Sequence, residues 1–238
     1  MAQILQWLSA HFLWVVLFVS TLLSWNWLLY FRKRLAISGQ MALLLSAAHT
    51  IIGVLAVKAF AFLEGVPGGM SLYGAIFFLP LVYALGAKLS KRSAGEVFDA
   101  FTICIILAFL LARCNCLRSG CCLGAVVPWS DSVRWPTREA ELVFHFVLVI
   151  WLGRRVLQNK THGAAYPLYM MCYGGFRFLL EFLRDNQALC GPFHIAHIWS
   201  VVSIVAGALA YSHIVRAAKG AASQKSKRGR KGSLHEKT

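Results

Sequence analysis

The sequence predicts an all-α integral membrane protein of seven transmembrane helices, with the N-terminus outside and the C-terminus cytoplasmic. Three observations carry that expectation. Apolar residues make up 58% of the 238-residue chain and charged residues only 14%, too few to cover a water-soluble globule of this size. The apolar residues fall into runs long enough to cross about 30 Å of hydrocarbon at ~1.5 Å per helical residue. The basic residues alternate between the connections, gathering after every second run.

Met1 to Trp7 carries no positive residue, and the run that follows is long and lacks a small-residue cleavage site. A cleaved signal peptide is therefore not expected, and the first span is read at 8–31. The others are read at 41–62, 71–88, 95–113, 139–157, 163–184 and 195–215. Arg32, Lys33 and Arg34 follow the first span, Lys88, Lys91 and Arg92 the third, Arg154, Arg155 and Lys160 the fifth, and eight more basic residues lie from Arg216 onward. Seventeen of the 24 Lys and Arg residues thus share one side, which the positive-inside rule makes cytoplasmic. Topology accounts for most of the net charge of +15, and nucleic acid is not called for. Residues 1–216 form the seven-helix domain. Residues 217–238, with Lys219, Lys225, Lys227, Arg228, Arg230 and Lys231 among Gly and Ser, are expected to be a disordered polybasic tail attracted to anionic headgroups.

The other seven basic residues, Lys58, Arg113, Arg118, Arg134, Arg138, Arg177 and Arg184, lie toward the outer face, where orientation does not require them. Arginine near lipid is costly and faces a cavity or a partner, and its planar fork suits phosphate and carboxylate. An outward-opening anion site is the inference. Between spans two and three, the turn-rich Glu64-Gly65-Val66-Pro67-Gly68-Gly69 delivers Ser71 and Tyr73 to the outer side. Ser93 and Glu96 read as a capping box at the start of span four, and Asp99 as a helix-dipole acid. Thr137 reads as the N-cap of span five. Glu141, in its first turns, is equally a dipole acid or a member of a polar site. In span six, Tyr173, Arg177, Glu181 and Arg184 repeat at i, i+4, i+8, i+11, one polar stripe on one helix face. His49 and His145 read as core residues, whereas His194 and His197 could face the same outer cavity.

The stretch Arg113-Cys114-Asn115-Cys116-Leu117-Arg118-Ser119-Gly120-Cys121-Cys122-Leu123-Gly124 holds four of the seven cysteines. The odd total argues against a fully paired disulfide framework. Cys114, Cys116, Cys121 and Cys122 among arginines are candidate reactive thiols. Adjacent Cys121 and Cys122 do not match the usual structural zinc spacing, so neither a metal nor a cofactor is assigned. Cys104 and Cys172, within spans, read as packing residues.

Four segments in order resemble the prolipoprotein diacylglyceryl transferase family, bacterial enzymes that move a diacylglyceryl group from phosphatidylglycerol to the lipobox cysteine of a lipoprotein precursor. Gly68-Gly69-Met70-Ser71-Leu72-Tyr73-Gly74 is similar to the family's GGMSFHG. Arg113 to Gly124 is similar to G-R-x-G-N-F-x-N-G-E-x-x-G, and Arg134-Trp135-Pro136-Thr137 followed by Glu141 to R-x-P-[ST]-Q-L-Y-E. Tyr173 to Arg184 is similar throughout to Y-G-x-x-R-x-x-x-E-F-x-R. The resemblance covers roughly Gly68 to Gly207, and the family's seven spans run N-terminus out, C-terminus in. It implies catalytic roles for Arg113, Arg177 and Glu181 and substrate-binding roles for Gly124 and Glu141; from the residues themselves Tyr73 is read as a further catalytic candidate, and Gly120, Arg134, Tyr173 and Arg184 as substrate-binding ones. It also implies a bacterial inner-membrane enzyme with its site toward the outer leaflet, taking phosphatidylglycerol or a similar anionic phospholipid and a lipobox precursor or other thiol acceptor. Tyr73 stands where the family has a histidine, Cys116 and Ser119 where its signature has asparagines, Cys121 where it has glutamate, and Arg138 and Ala140 where it has glutamine and tyrosine. These departures match a divergent, cysteine-rich branch. They keep two other classes open: a membrane thiol-disulfide oxidoreductase using Cys114 to Cys122, and a non-catalytic lipid-binding or transport paralogue.

Overall fold

A computed structural model of the chain describes residues 11–66, 69–90, 93–185 and 193–235, with side chains through Gly220. Seven α-helices account for most of these residues: α1 Phe12–Leu35, α2 Gly39–Leu63, α3 Leu72–Ser90, α4 Ala94–Ser119, α5 Thr137–Leu157, α6 Ala165–Glu181 and α7 Ile195–His235. Among the described residues the only extended pairing is two isolated bridges, Gly124 with Arg184 and Val126 with Arg134.

Five helices, α1 to α4 and α7, are long and apolar enough to cross a membrane. The other two fall short for different reasons. α5 carries Arg138, Glu139 and Glu141 at one end and Arg154 and Arg155 at the other, and α6 has only 17 residues. Large apolar side chains stay exposed along the bundle, among them Trp14, Leu44, Leu55, Phe62, Leu81, Val143 and Leu209. Water would penalise that surface and lipid would not.

α4 is the centre of the bundle, packing against α1, α3, α5 and α6, while α6 and α7 pair closely with each other. Its run from Val97 through Ile106 is buried almost without interruption. Its Phe101 stacks on Tyr83 of α3 with ring centroids 4.9 Å apart, and Tyr166 of α6 meets Tyr83 edge-on at 5.6 Å. Close approach of α2 and α3 depends on Gly74, where a Cβ would lie 2.2 Å from the Ala56 carbonyl oxygen. Small residues serve this purpose where helices must touch backbone to backbone.

Helix ends differ from the sequence expectations in instructive places. α4 runs to Ser119 rather than stopping at Arg113, because nothing before Gly120 breaks it, and Gly120 ends it in a left-handed conformation (φ 70°). Cys114 and Cys116 are therefore helical. Ser93 occupies the N-cap position of α4 but makes no side-chain cap bond, and Glu96 lies 3.9 Å from Arg34 instead. Pro136, not Thr137, is the N-cap of α5, and the Thr137 hydroxyl donates to the Cys122 carbonyl at 3.3 Å. α7 continues to His235, past the boundary at 216 where composition predicts a change to a disordered tail.

Asp99 does serve a helix dipole, but that of α6 rather than of its own helix. It is buried and accepts from Thr161 Oγ1 at 2.6 Å, Gly163 N at 2.7 Å and Ala165 N at 2.9 Å. These contacts satisfy backbone donors that α6 leaves free at its start. Asp99→Ala is expected to cost about 3 kcal/mol by stranding these donors, and should appear as a lowered unfolding temperature of the detergent-solubilised protein.

Candidate functional site

The helix directions bring five ends to one side of the bundle: the start of α3, the end of α4, the start of α5, the end of α6 and the start of α7. Each contributes a polar side chain. Glu141, fully buried on α5, receives three guanidiniums: Arg113 Nε at 2.5 Å from α4, Arg177 Nη1 at 3.4 Å from α6, and Arg184 Nη1 at 3.6 Å from the segment after α6. Glu181, also fully buried, binds Arg177 Nη2 at 2.7 Å one turn away and lies 4.0 Å from Arg184 Nε. The stripe expected on span six is thus real, and it faces protein.

Arg113 and Arg177 are only 6% and 8% exposed. Charges so removed from water persist only when paired. Three guanidiniums are thus held around two buried carboxylates.

The connection from α4 to α5 closes over this cluster as a short hairpin. Val127 N donates to Val133 O at 2.9 Å and Trp135 N to Ala125 O at 3.0 Å. The same segment is pinned to the chain after α6, where Ala125 N donates to Leu183 O at 2.8 Å. That pinning bends the chain beyond Glu181 so that Arg184 points back at Glu141. Arg134 lies outside the buried cluster. It is 38% exposed, and its Nη1 bonds Asp185 Oδ2 at 2.7 Å and the Gly124 carbonyl at 3.0 Å, stapling the hairpin. Gly124 has a packing reason to be glycine, since a Cβ would sit 2.2 Å from the Trp135 carbonyl oxygen. Gly120 supplies the helix stop.

Tyr73 and Tyr173 form the floor on the apolar side, both buried, with ring centroids 5.7 Å apart. The Tyr73 hydroxyl is 2.6 Å from Ser200 Oγ of α7 rather than against a guanidinium. The Tyr173 hydroxyl has no hydrogen-bond partner among the described residues. Its ring lies 5.6 Å from that of His145, whose Nδ1 is 2.7 Å from the Glu141 carbonyl oxygen. His145 is thus a packed residue that helps seat Glu141, and His49 is stacked on Tyr83 in the core. His194 joins the cluster, with Nδ1 3.2 Å from Glu181 Oε1.

Ser200 and Asp185 are the participants that sequence reasoning missed. Ser200 had no signal, being one serine in an apolar span. Asp185 directly follows the motif arginine, and that acid-arginine adjacency could have flagged it.

The four cysteines divide. Cys114 Sγ is 3.6 Å from the Leu110 carbonyl on its own helix, whereas Cys116, Cys121 and Cys122 converge beside Arg113. In the loop, the Cys122 thiol is drawn well below the ordinary thiol range. A hydrogen bond from the Cys116 thiol is the main cause, with the positive charges of Arg184 and Arg113 outweighing partial burial. A depressed value keeps the thiolate present as pH falls. Cys122 should therefore alkylate with iodoacetamide nearly as fast at pH 6 as at pH 8, where a thiol of ordinary pKa, about 8.5, would speed up by tens-fold. Peptide-resolved mass spectrometry reads this directly. A second prediction concerns the buried carboxylate. Glu141→Ala should cost about 3–5 kcal/mol by leaving three guanidiniums uncompensated, measured as loss of folded protein in detergent. Glu139→Ala, on the rim of the same helix, should be nearly silent.

A lateral groove of about 500 Å³ opens next to the cluster, lined by Ala140, Val143, Phe144, Val147 and Phe176 together with Pro136 and Glu139.

Comparison with known proteins points the same way. The family model described as prolipoprotein diacylglyceryl transferase matches residues 54–213, which contain the whole cluster. A phosphatidylglycerol-prolipoprotein diacylglyceryl transferase 2 of Clostridium perfringens is 30% identical over 161 residues, covering 60% of this chain and 62% of that protein. A phosphatidylglycerol-prolipoprotein diacylglyceryl transferase of Thermosynechococcus vestitus is 27% identical over 159 residues, 59% of each. One of Aeromonas salmonicida is 30% identical over 156 residues, 60% of this chain and 57% of that protein. The chain thus spans about three-fifths of the length of the curated relatives it matches. With a matching region that runs from the second half of α2 into α7 and holds Arg113, Glu141, Arg177, Glu181 and Arg184, the chain belongs to the prolipoprotein diacylglyceryl transferase family.

Proposed function

We propose that this protein transfers the diacylglyceryl group of phosphatidylglycerol to a cysteine thiol, with a lipobox-bearing lipoprotein precursor as the acceptor. The observation that carries the reading is the buried cluster of Arg113, Arg177 and Arg184 around Glu141 and Glu181, with an apolar groove on the α5 and α6 surface. The acyl chains take the groove, and the phosphate takes the guanidiniums. The acceptor sulfur attacks the glycerol carbon that bears the phosphate ester. A carbon-sulfur bond forms, the carbon-oxygen bond breaks with its electron pair leaving on glycerol phosphate, and the thiol's proton ends on the departing phosphate.

Charge grows on the leaving oxygen in that step, so fixed guanidiniums lower the barrier more than mobile ones would. Glu141 and Glu181 hold them at the required angles. Tyr73 and Tyr173 border the reacting carbon on the apolar side. Gly120 and Gly124 shape the loop over the phosphate, and Arg134 holds that loop closed.

All seven helices are read as spanning, the N-terminus outside and the C-terminus cytoplasmic, in the bacterial inner membrane with the site toward the outer leaflet. α6, at 17 residues, rises about 25 Å and spans with help from the turn that follows it. The basic segment from Arg216 onward lies at the cytoplasmic face, where anionic headgroups favour it.

The test is purified protein in phosphatidylglycerol vesicles with a lipobox peptide, read by mass spectrometry of the peptide and by glycerol phosphate release. A thioether-linked diacylglyceryl peptide is expected. Lipid binding without any product would favour the non-catalytic paralogue and sink the transferase reading. Arg177→Lys keeps the charge but loses the fork, and should lower turnover by roughly 10²-fold. Replacing all four loop cysteines by serine should leave most of the transferase activity; complete loss would favour the thiol-disulfide oxidoreductase.

A further inference from the structure

Beside the guanidiniums lies a second group of side chains that phosphate chemistry does not use. Cys116 is in the last turn of α4, Gly120 reverses the chain at φ 70°, and Cys122 reverses it again at φ 59°. The two reversals fold Cys121 and Cys122 back over the helix end. The Sγ atoms of Cys116, Cys121 and Cys122 consequently all lie within 4.8 Å of one another. All three are free thiols, with Cys121 exposed and the other two half-buried, so the group is open to solvent on one side. Ser119 Oγ donates to Cys121 Sγ at 3.2 Å, and Thr137 Oγ1 holds the Cys122 carbonyl at 3.3 Å, which fix the turn from both ends.

Three sulfurs around one ion at about 2.3 Å stand about 4 Å apart, so small side-chain rotations suffice to close this group on a cation. Thiolate ligands select soft ions. A structural zinc site requires a fourth protein ligand, and the fourth cysteine of the stretch, Cys114, is engaged by the Leu110 carbonyl on its own helix. Among the described residues, the charged groups next to the sulfurs are arginines, which coordinate nothing. Three-coordinate binding is what the donor set offers, and monovalent copper accepts it.

We propose that Cys116, Cys121 and Cys122 form a three-thiolate site for a soft monovalent cation of the Cu(I) type. Binding displaces the protons still on the thiols and forms three metal-sulfur bonds, with no change of oxidation state. Three thiolates and one monovalent cation leave two net negative charges. Arg113, whose Nη1 is 3.8 Å from Cys116 Sγ, and Arg184, beside Cys122, lie where they offset part of that charge. The same residues that replace the family's asparagine and glutamate thus create a donor set of a different hardness. This site does not depend on the transferase reading, and its test does not use turnover.

The experiment is a titration of the full-length, reduced protein in detergent, under nitrogen, with Cu(I) delivered from a bicinchoninate chelate. X-ray absorption at the copper edge is then recorded on the loaded protein. One Cu(I) per chain and a shell of three sulfurs at roughly 2.3 Å are expected. C116S and C122S should each lower the affinity by roughly 100-fold or more, and C114S should leave it unchanged. Equal copper uptake by the C116S/C121S/C122S variant would overturn the site. So would a shell of two sulfurs or of nitrogen in the unmodified protein, a readout that holds even if a variant fails to fold.

Discussion

Glu141 sits fully buried at the polar end of the bundle and draws arginines from α4, α6 and the turn after α6 onto one carboxylate. An isolated charge there would be prohibitively costly, and so would any of the guanidiniums without it. The ion cluster therefore ties together helices whose apolar surfaces alone would permit sliding, and sets the angle at which α5 enters. The fold around it supplies the rigidity: α4 is buried along most of its length, and Gly74 lets α3 meet α2 at backbone distance.

Closure of the site follows from two backbone events. Gly120 stops α4, which lets the chain form the hairpin from Gly124 to Trp135, and the hairpin in turn pairs with Leu183 and Arg184. Arg184 would continue the helical stripe past Glu181 if α6 were longer. Because α6 ends at Glu181, Arg184 is instead carried by a turn and joins Glu141. The third guanidinium at Glu141 is this arginine, so the length of a helix determines which charges meet there.

The cysteine-rich stretch illustrates how one substitution pattern changes the chemistry of a loop while leaving its neighbours in place. Arg113, Gly120 and Gly124 keep the family's pattern and are used for ion pairing, helix termination and close packing. Cys116, Cys121 and Cys122 occupy the positions between them and meet as a group only because the helix runs further than its apolar content predicts. Tyr73, at the family's histidine position, turns its hydroxyl to Ser200, so the region that departs from the family is concentrated on two faces of one pocket.

Much of this was legible in the sequence. The lengths of the apolar runs and the spacing of Tyr173, Arg177, Glu181 and Arg184 are local properties, and so are the arginines left over after topology is satisfied; they determined the helix number and the polar stripe. The motif order from Gly68 to Arg184 identified the family. The sequence left Glu141 balanced between helix-dipole acid and site residue, because its spacing suits both. Tertiary structure decided it by bringing three guanidiniums to its two oxygens. Only the fold could separate Arg134, which staples a hairpin, from Arg113 and Arg177, which are buried, or recruit His194 and Ser200 from the far end of the chain. Only the fold could join Cys116 to Cys121 and Cys122 across a turn. Local pattern specifies which face of an element is polar; which polar faces meet is set by the packing of elements distant in sequence, and by the need to leave no buried charge without its counterpart.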